Sequence, residues 1–414
     1  MQLADVDLYN PDTFAAGVPH EMFATLRREA PVYRHLDDRG NPFWCVTRHA
    51  DIVTVNRDAE TYSSWRGATY IDDLSPDDLA GQQLMMLNMD PPDHTVLRKI
   101  VSKGFTPRRI GQLHEILARR ATSIVDAVIE RGECDFVVDV ASELPLQAIA
   151  DFLGVPQEDR KLIFDLTNQM IGSSDPEFHL AEGQEREAAA QMFAYSLAMF
   201  EDRKQHPRDD IATALIQADV HGEKLGELDF NMFFMLLAVA GNETTRNAIS
   251  HTQLALMEHP EERRKVLGDP SKLDALIEEG LRWATPVMQF RRTAARDTVL
   301  HDVEIAEGDR VVIWHMSGNR DEAVFDDPYT FDIDRPTGHY SQHIAFGGGG
   351  HHFCLGANLA RAEMKVMLGE ILRRMPDMEQ TAPAQRLRSN FINGLKHLPV
   401  RFTPSSIWAD RRLF

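Results

Sequence analysis

Phe346-Gly347-Gly348-Gly349-Gly350-His351-His352-Phe353-Cys354-Leu355-Gly356 is the stretch on which the reading of this chain turns. Four successive glycines let a backbone approach something flat or bulky very closely. The cysteine that follows stands just ahead of a helical stretch running from about Ala357 to Arg374. Helix N-terminal N–H donors stabilise a thiolate. A thiolate at the end of a glycine loop is a good axial ligand for haem iron. The plainer alternative is a buried structural cysteine after a flexible loop. Cys45, in the strand-like run Phe43 to Thr47, and Cys134, beside a Gly132-Glu133 turn, take that alternative.

Upstream, Glu227 to His259 predicts one long helix that stops before Pro260. From Phe230 to Ala240 only Asn231 is polar. A helix apolar all round must run through a core. Yet Gly241, Asn242, Glu243, Thr244 and Thr245 follow at once, and polar groups placed mid-core need partners or a purpose. Ala240 and Gly241 leave room for a flat ligand beside the helix. The Thr244 hydroxyl can open the helix locally by competing for a backbone carbonyl. Glu243 can relay protons by general acid–base chemistry.

Around these segments, helical spacing dominates from His94 to about Phe200, and Lys272 to Ala284 predicts a short helix capped by Ser271 with Asp274. Ser63 to Met89 reads as a loop, residues 298 to 314 as a hairpin about Glu307-Gly308-Asp309, and Ser317 to Gly350 as a meander.

These motifs together resemble the cytochrome P-450 family, the haem-thiolate monooxygenases. The family's F-G-x-G-x-H-x-C-x-G is matched in register by Gly348, Gly350, His352, Cys354 and Gly356. Phe346 sits one position early, so the loop carries one extra residue, as in bacterial members resembling steroid side-chain hydroxylases. Ala240 to Thr245 is similar to [AG]-G-x-[DE]-T-[TS], and Glu279-x-x-Arg282 to E-x-x-R. Arg335 resembles the third member of that ion network, to which we assign a structural role. Asp90-Pro91-Pro92-Asp93-His94-Thr95-Val96-Leu97-Arg98 is similar to a segment whose His and Arg bind haem propionates. Arg292 and His352 match the other two propionate contacts.

The resemblance runs from about residue 10 to residue 404. It implies a mainly α fold with a small β portion, with haem b between the long central helix and the cysteine loop. It implies Cys354 as iron ligand, with Ala240, Gly241, Phe346, Gly347 and Gly356 lining the cofactor. Glu243 and Thr244 would handle protons. The reaction implied is hydroxylation of an unactivated C–H bond of a steroid, terpenoid or branched lipid with O₂. Electrons would come from NAD(P)H through a separate reductase and a ferredoxin.

Composition fits an enzyme of this kind. Of 414 residues, 43% are hydrophobic, enough for a large core, and no low-complexity linker divides the chain, so one domain over 1–414 is expected. Lys and Arg number 44 against 64 Asp and Glu, and a net charge of −20 argues against nucleic acid or an anionic membrane surface as main partner. Three cysteines fit a reducing compartment. The N-terminus has no basic and apolar signal pattern and no apolar run spans a bilayer, so a cytoplasmic location is expected.

Within this acidic chain, residues 96 to 120 carry Arg98, Lys99, Lys103, Arg108, Arg109, Arg119 and Arg120 against Glu115 alone. With Arg361 and Lys365 they form a candidate docking patch for an acidic ferredoxin. The pocket candidates are apolar: Met86, Leu87, Met235, Leu236, Val239, Val287, Met288, Phe391 and Ile392. Two other functions stay open. One is a zinc site on His339, His343 and Cys354 with hydrolytic chemistry, although no H-E-x-x-H is present. The other is a haem sensor or carrier without turnover, which has no need of Glu243 and Thr244.

Overall fold

The structure, a computed structural model, describes residues 1–171, 177, 183–220, 222–336, 338 and 342–406. It is mostly helical with a minor β portion. The central helix runs from Glu227 to Glu258, about 48 Å at 1.5 Å per residue. It is packed by the helices Glu143–Leu153, Gln184–Gln205, Leu273–Ala284 and Ala357–Arg374. Its apolar first half places Phe230, Phe233, Phe234 and Leu237 in the largest core cluster.

Its second half is polar and still buried. That is tolerable because the side chains bond to backbone. The Ser250 and Thr252 hydroxyls donate to the carbonyls four residues back, at 2.8 and 2.7 Å. Asn247 donates to the Glu243 carbonyl at 2.9 Å and accepts the Leu395 N–H at 3.0 Å. Among the described residues no helix is long and apolar enough to cross a membrane.

A five-stranded sheet lies beside the helices, in the order Val32–Leu36, Pro42–Val46, Arg310–Trp314, Gln289–Ala294, Tyr62–Ser63. Only Pro42–Val46 and Arg310–Trp314 pair in parallel. Arg292, opposite Val311, enters the site from this sheet.

Three local expectations change. The hairpin in 298–314 joins Thr298–Leu300 to Val303–Ile305, so the reversal is at His301-Asp302, both at positive φ. Arg310–Trp314 belongs to the large sheet instead. Asp269, not Ser271, caps the segment ahead of Leu273–Ala284, its carboxylate accepting the Ser271 N–H at 3.1 Å. The stretch read as a loop holds a helix, Pro76–Gln83, with the Ser75 hydroxyl accepting the Asp78 N–H at 3.2 Å. A capping Ser ahead of Pro-Asp-Asp was its signal, and the lack of an apolar face hid it.

The Glu279 network is fully internal. Arg282 makes a two-pronged pair with Glu279, both bonds 2.7 Å, and Arg335 adds a third at 3.2 Å. Arg282 also donates to the carbonyls of Asn319 and Pro328 at 2.9 Å each. The network pins the Leu273–Ala284 helix to the meander that leads into the cysteine loop.

Candidate active site around Cys354

Gly347, Gly348, Gly349 and Gly350 all have positive φ, between 66° and 103°. Four such residues in a row require glycine. Their close approach, however, is to the chain itself. A Cβ on Gly350 would overlap the Asn56 carbonyl, and one on Gly349 would press on Arg57. The glycine run therefore seats the loop on the helix His49–Arg57. Gly241 is a parallel correction. The space expected beside it is filled by Ile149, so a side chain there would collide with the helix Glu143–Leu153. Ala240 is the exposed position in this otherwise enclosed part of the central helix.

The Cys354 N–H donates to the Phe346 carbonyl at 3.0 Å, closing the loop, and Gly356 is the cap of the helix Ala357–Arg374. Burial pushes the Cys354 thiol up. A Gly356 N–H and the charges of Arg98 and Arg361 act against that. Burial drives Cys45 and Cys134 to about 12, against a single opposing influence each, Trp314 for Cys45 and Arg131 for Cys134.

Four cationic or potentially cationic groups meet beside this loop. His94 is 1% exposed, with its ring centroid 4.4 Å from that of His352 and its Nδ1 without a partner among the described residues. His352 Nε2 lies 3.2 Å from the Ser64 hydroxyl. Arg292 is buried, and among the described residues it donates to the Arg291 carbonyl at 2.9 Å and to Asn56 Oδ1 at 3.4 Å. Arg98 donates to the Phe353 carbonyl at 2.6 Å. Burial and mutual repulsion lower His94 to about 4 and His352 further. Burial lowers Arg292 to about 10.

Among the described residues none of the four has a carboxylate within ion-pair distance. Buried guanidinium and imidazole groups gathered without counter-charge are costly unless an anion joins them. An anionic group with two carboxylates, such as haem presents, fits that arrangement. Ser63 and Ser64 join the site from the stretch read as a loop, and Asp90 from the first position of the Asp90–Arg98 segment. Asp90 accepts the Ser64 N–H at 2.8 Å and the Ser63 hydroxyl at 2.5 Å, and so fixes the backbone of the serine whose hydroxyl meets His352.

On the central helix, Thr244 Oγ1 donates to the Ala240 carbonyl at 2.7 Å, competing for it as expected. The helix nevertheless stays unbroken. Glu243 is 4% exposed; one oxygen is held by Arg246 and the other, Oε1, has no partner among the described residues. Arg246 went unnoticed in the sequence, although its three-residue spacing from Glu243 was the signal.

The pocket candidates divide. Met86 and Met235 lie in the largest core cluster and Met288 in a second one with Trp314. Ile392 is buried in a bridge to Val287. Leu87, Leu236, Val239, Val287 and Phe391 are only partly buried. Leu236, Val239 and Ala240 share one helix face. The Phe391 carbonyl accepts the Met288 N–H at 2.8 Å, which ties the two pocket segments together.

The basic patch is largely compensated. Arg109 pairs with Asp209, Arg120 with Asp151, Arg119 with Glu115, Arg361 with Glu278 and Lys365 with Asp274. Lys103 donates to the Asp219 carbonyl at 2.6 Å. A groove of about 710 Å³ there is lined by Lys103, Arg108 and Arg109 but also by Asp151, Asp209 and Asp210. Exposed Lys99 and Arg108 have no ion-pair partner among the described residues. His339, of the zinc alternative, lies outside the described residues, and His343 is engaged with Glu278 at 2.9 Å. Among the described residues no cluster of three His, Cys, Asp or Glu is placed to hold a metal ion.

Known proteins resemble this chain over most of its length. The family model described as Cytochrome P450 matches residues 271–389. A steroid C26-monooxygenase of Mycobacterium tuberculosis is 42% identical over 407 residues, covering 96% of this chain and 92% of that protein. A methyl-branched lipid omega-hydroxylase of the same species is 40% identical over 413 residues, covering 97% and 95%. Among solved structures, a Mycobacterium marinum cytochrome P450 in complex with pseudoionone matches with a TM-score of 0.89 and 36% identity, over 96% of this chain and 98% of that one. Likeness at this level over nearly the full length of both partners settles the family: the chain belongs to the cytochrome P450 family and is one of its monooxygenases.

Proposed function

We propose that residues 1–414 form one cytoplasmic domain that hydroxylates an unactivated C–H bond of a steroid, terpenoid or methyl-branched lipid. The observation that carries this reading is the gathering of His94, Arg98, Arg292 and His352 beside the Cys354 loop, with no carboxylate within ion-pair distance of any of them among the described residues. The names of the steroid and branched-lipid relatives support the substrate class.

Family membership implies haem, and the donor set suits it. Cys354 would ligate the iron, and the two histidines and two arginines would hold the propionates. When bound, the haem supplies activation of O₂ with two electrons and two protons. The chain's part is to deliver those protons and keep bulk water out. Glu243 Oε1, buried and unpartnered, is the atom placed to give or take a proton, while Arg246 holds the other oxygen. Thr244 Oγ1, with its hydrogen turned to the Ala240 carbonyl, keeps lone pairs free to orient a water. Leu236, Val239, Val287 and Phe391 offer the apolar wall.

Titration of the holoenzyme with sterols, terpenes and branched fatty acids should give substrate-type spectral changes, and turnover with a ferredoxin system should give hydroxylated product. Thr244→Ala should keep binding but divert NADH consumption to peroxide, lowering coupling about tenfold. Binding only of small charged compounds, or unchanged coupling, would count against the respective claim.

Electrons, in this reading, come from NAD(P)H through a reductase and a ferredoxin. Lys99 and Arg108, exposed and uncompensated, are the strongest docking charges, with Lys103 beside them. Lys99→Glu with Arg108→Glu should slow the first electron transfer about tenfold at low salt, and the gap should close as salt screens it. Stopped-flow reduction checks this, and an equal rate at low salt would discard the patch.

A further inference from the structure

Arg361 was assigned to the docking patch, yet its guanidinium points inward. Its Cζ lies 4.6 Å from the centroid of the Phe346 ring. Its Nε and Nη2 donate to the two oxygens of Glu278 at 2.5 and 2.9 Å. Glu278 Oε2 also shares a hydrogen bond of 2.9 Å with His343 Nε2, and the His343 ring lies 5.8 Å from Phe346. The Phe346 carbonyl accepts the Cys354 N–H. A cation, an aromatic ring, a carboxylate and an imidazole thus stand behind the residue that closes the loop around the sulfur.

The arrangement is shielded: Arg361 is 33% exposed and Glu278 20%. Burial pushes the Glu278 carboxyl up, but the bonds from Arg361 and His343 outweigh this and hold it at about 2. Glu278 is therefore a carboxylate at neutral pH. A guanidinium over an aromatic face is held there by the ring's negative face, and its planar fork fits the carboxylate. The guanidinium lies against the ring of Phe346, whose carbonyl accepts the Cys354 N–H, so its positive field reaches the loop around the sulfur. Glu278, one step further out, offsets part of that field.

We propose that Arg361, stacked on Phe346 and balanced by Glu278, sets the reduction potential of the iron bound at Cys354. The inference rests on the haem-thiolate reading above. The step is the one-electron reduction of ferric to ferrous iron by a reduced ferredoxin, which is itself oxidised by one electron. The electron adds negative charge at the site, so Arg361 favours the reduced state and Glu278 opposes it. Both are positioning residues, acting through the Phe346 to Cys354 segment.

The test is an anaerobic redox titration of the holoenzyme against mediator dyes. Arg361→Gln should lower the equilibrium constant for reduction, and Glu278→Gln should raise it, each on the order of tenfold. Arg361→Lys, which keeps the charge, should stay within about threefold of the wild type. Opposite displacements with the ferrous–CO band of thiolate ligation retained support the proposal. Unchanged values, or displacements of the same sign, overturn it. If Arg361→Gln does not retain haem, Glu278→Gln decides alone, and only a rise supports the proposal. A wild-type protein without the thiolate CO band would instead remove the haem-thiolate reading.

Discussion

Cys354→Ser protein is expected to fold, to keep its helical content and to lose hydroxylation by more than about 10³-fold, beyond 4 kcal/mol of transition-state stabilisation. The exchange removes one sulfur and leaves the loop's own bond intact, because that bond is made by the backbone N–H of residue 354 to Phe346. What disappears is the thiolate. A serine hydroxyl does not ionise in the same setting, since burial already works against the more acidic thiol. No other sulfur can substitute. Cys45 is fully buried in the sheet and Cys134 lies in the small sheet opposite Val400. The ferrous–CO spectrum and product analysis read the outcome together. A variant that retained both the thiolate band and product would detach Cys354 from the chemistry.

The second large effect is on stability. Glu279→Ala leaves Arg282 and Arg335 facing an empty site, with Arg282 1% and Arg335 5% exposed. Breaking a buried pair from one side costs about 3–5 kcal/mol, because the remaining charge stays desolvated and unpaired. The Asp332 N–H, which donates to Glu279 Oε1 at 2.9 Å, is orphaned as well. Against a total stability of about 5–15 kcal/mol, such a loss leaves little margin. Urea unfolding should show a sharply lower midpoint for Glu279→Ala and a smaller fall for Glu279→Gln, which keeps an acceptor oxygen. An unchanged midpoint would contradict the structural role of this network. Since the network anchors the meander before the cysteine loop, haem content should fall with it.

The long elements were legible because their patterns are periodic. The central helix ends within a residue of its sequence limits, and the helix after Gly356 starts and stops at Ala357 and Arg374 as read. Motif residues far apart in sequence, such as His94 and His352, were brought together by the family resemblance, since spacing alone links nothing across that distance. What could not be read was the direction in which each residue faces. In the sequence Gly241 and the glycine run promise room for a flat ligand, whereas Ile149 and Asn56 occupy the spaces concerned. Met86, Met235 and Met288 sit in apolar clusters, and apolarity in the sequence does not distinguish pocket from core. Charge runs misled for a related reason. The sequence shows Arg109, Arg361 and Lys365 without showing Asp209, Glu278 and Asp274 beside them.

The seat of the glycine run on the helix His49–Arg57 has a practical corollary for anyone building chimeras. Asn56 abuts Gly350 through its carbonyl, while its side chain meets Arg292 and His315. Loop, helix and strand therefore behave as a single cassette, and a graft of residues 346–356 into another scaffold has to carry the 49–57 segment with it.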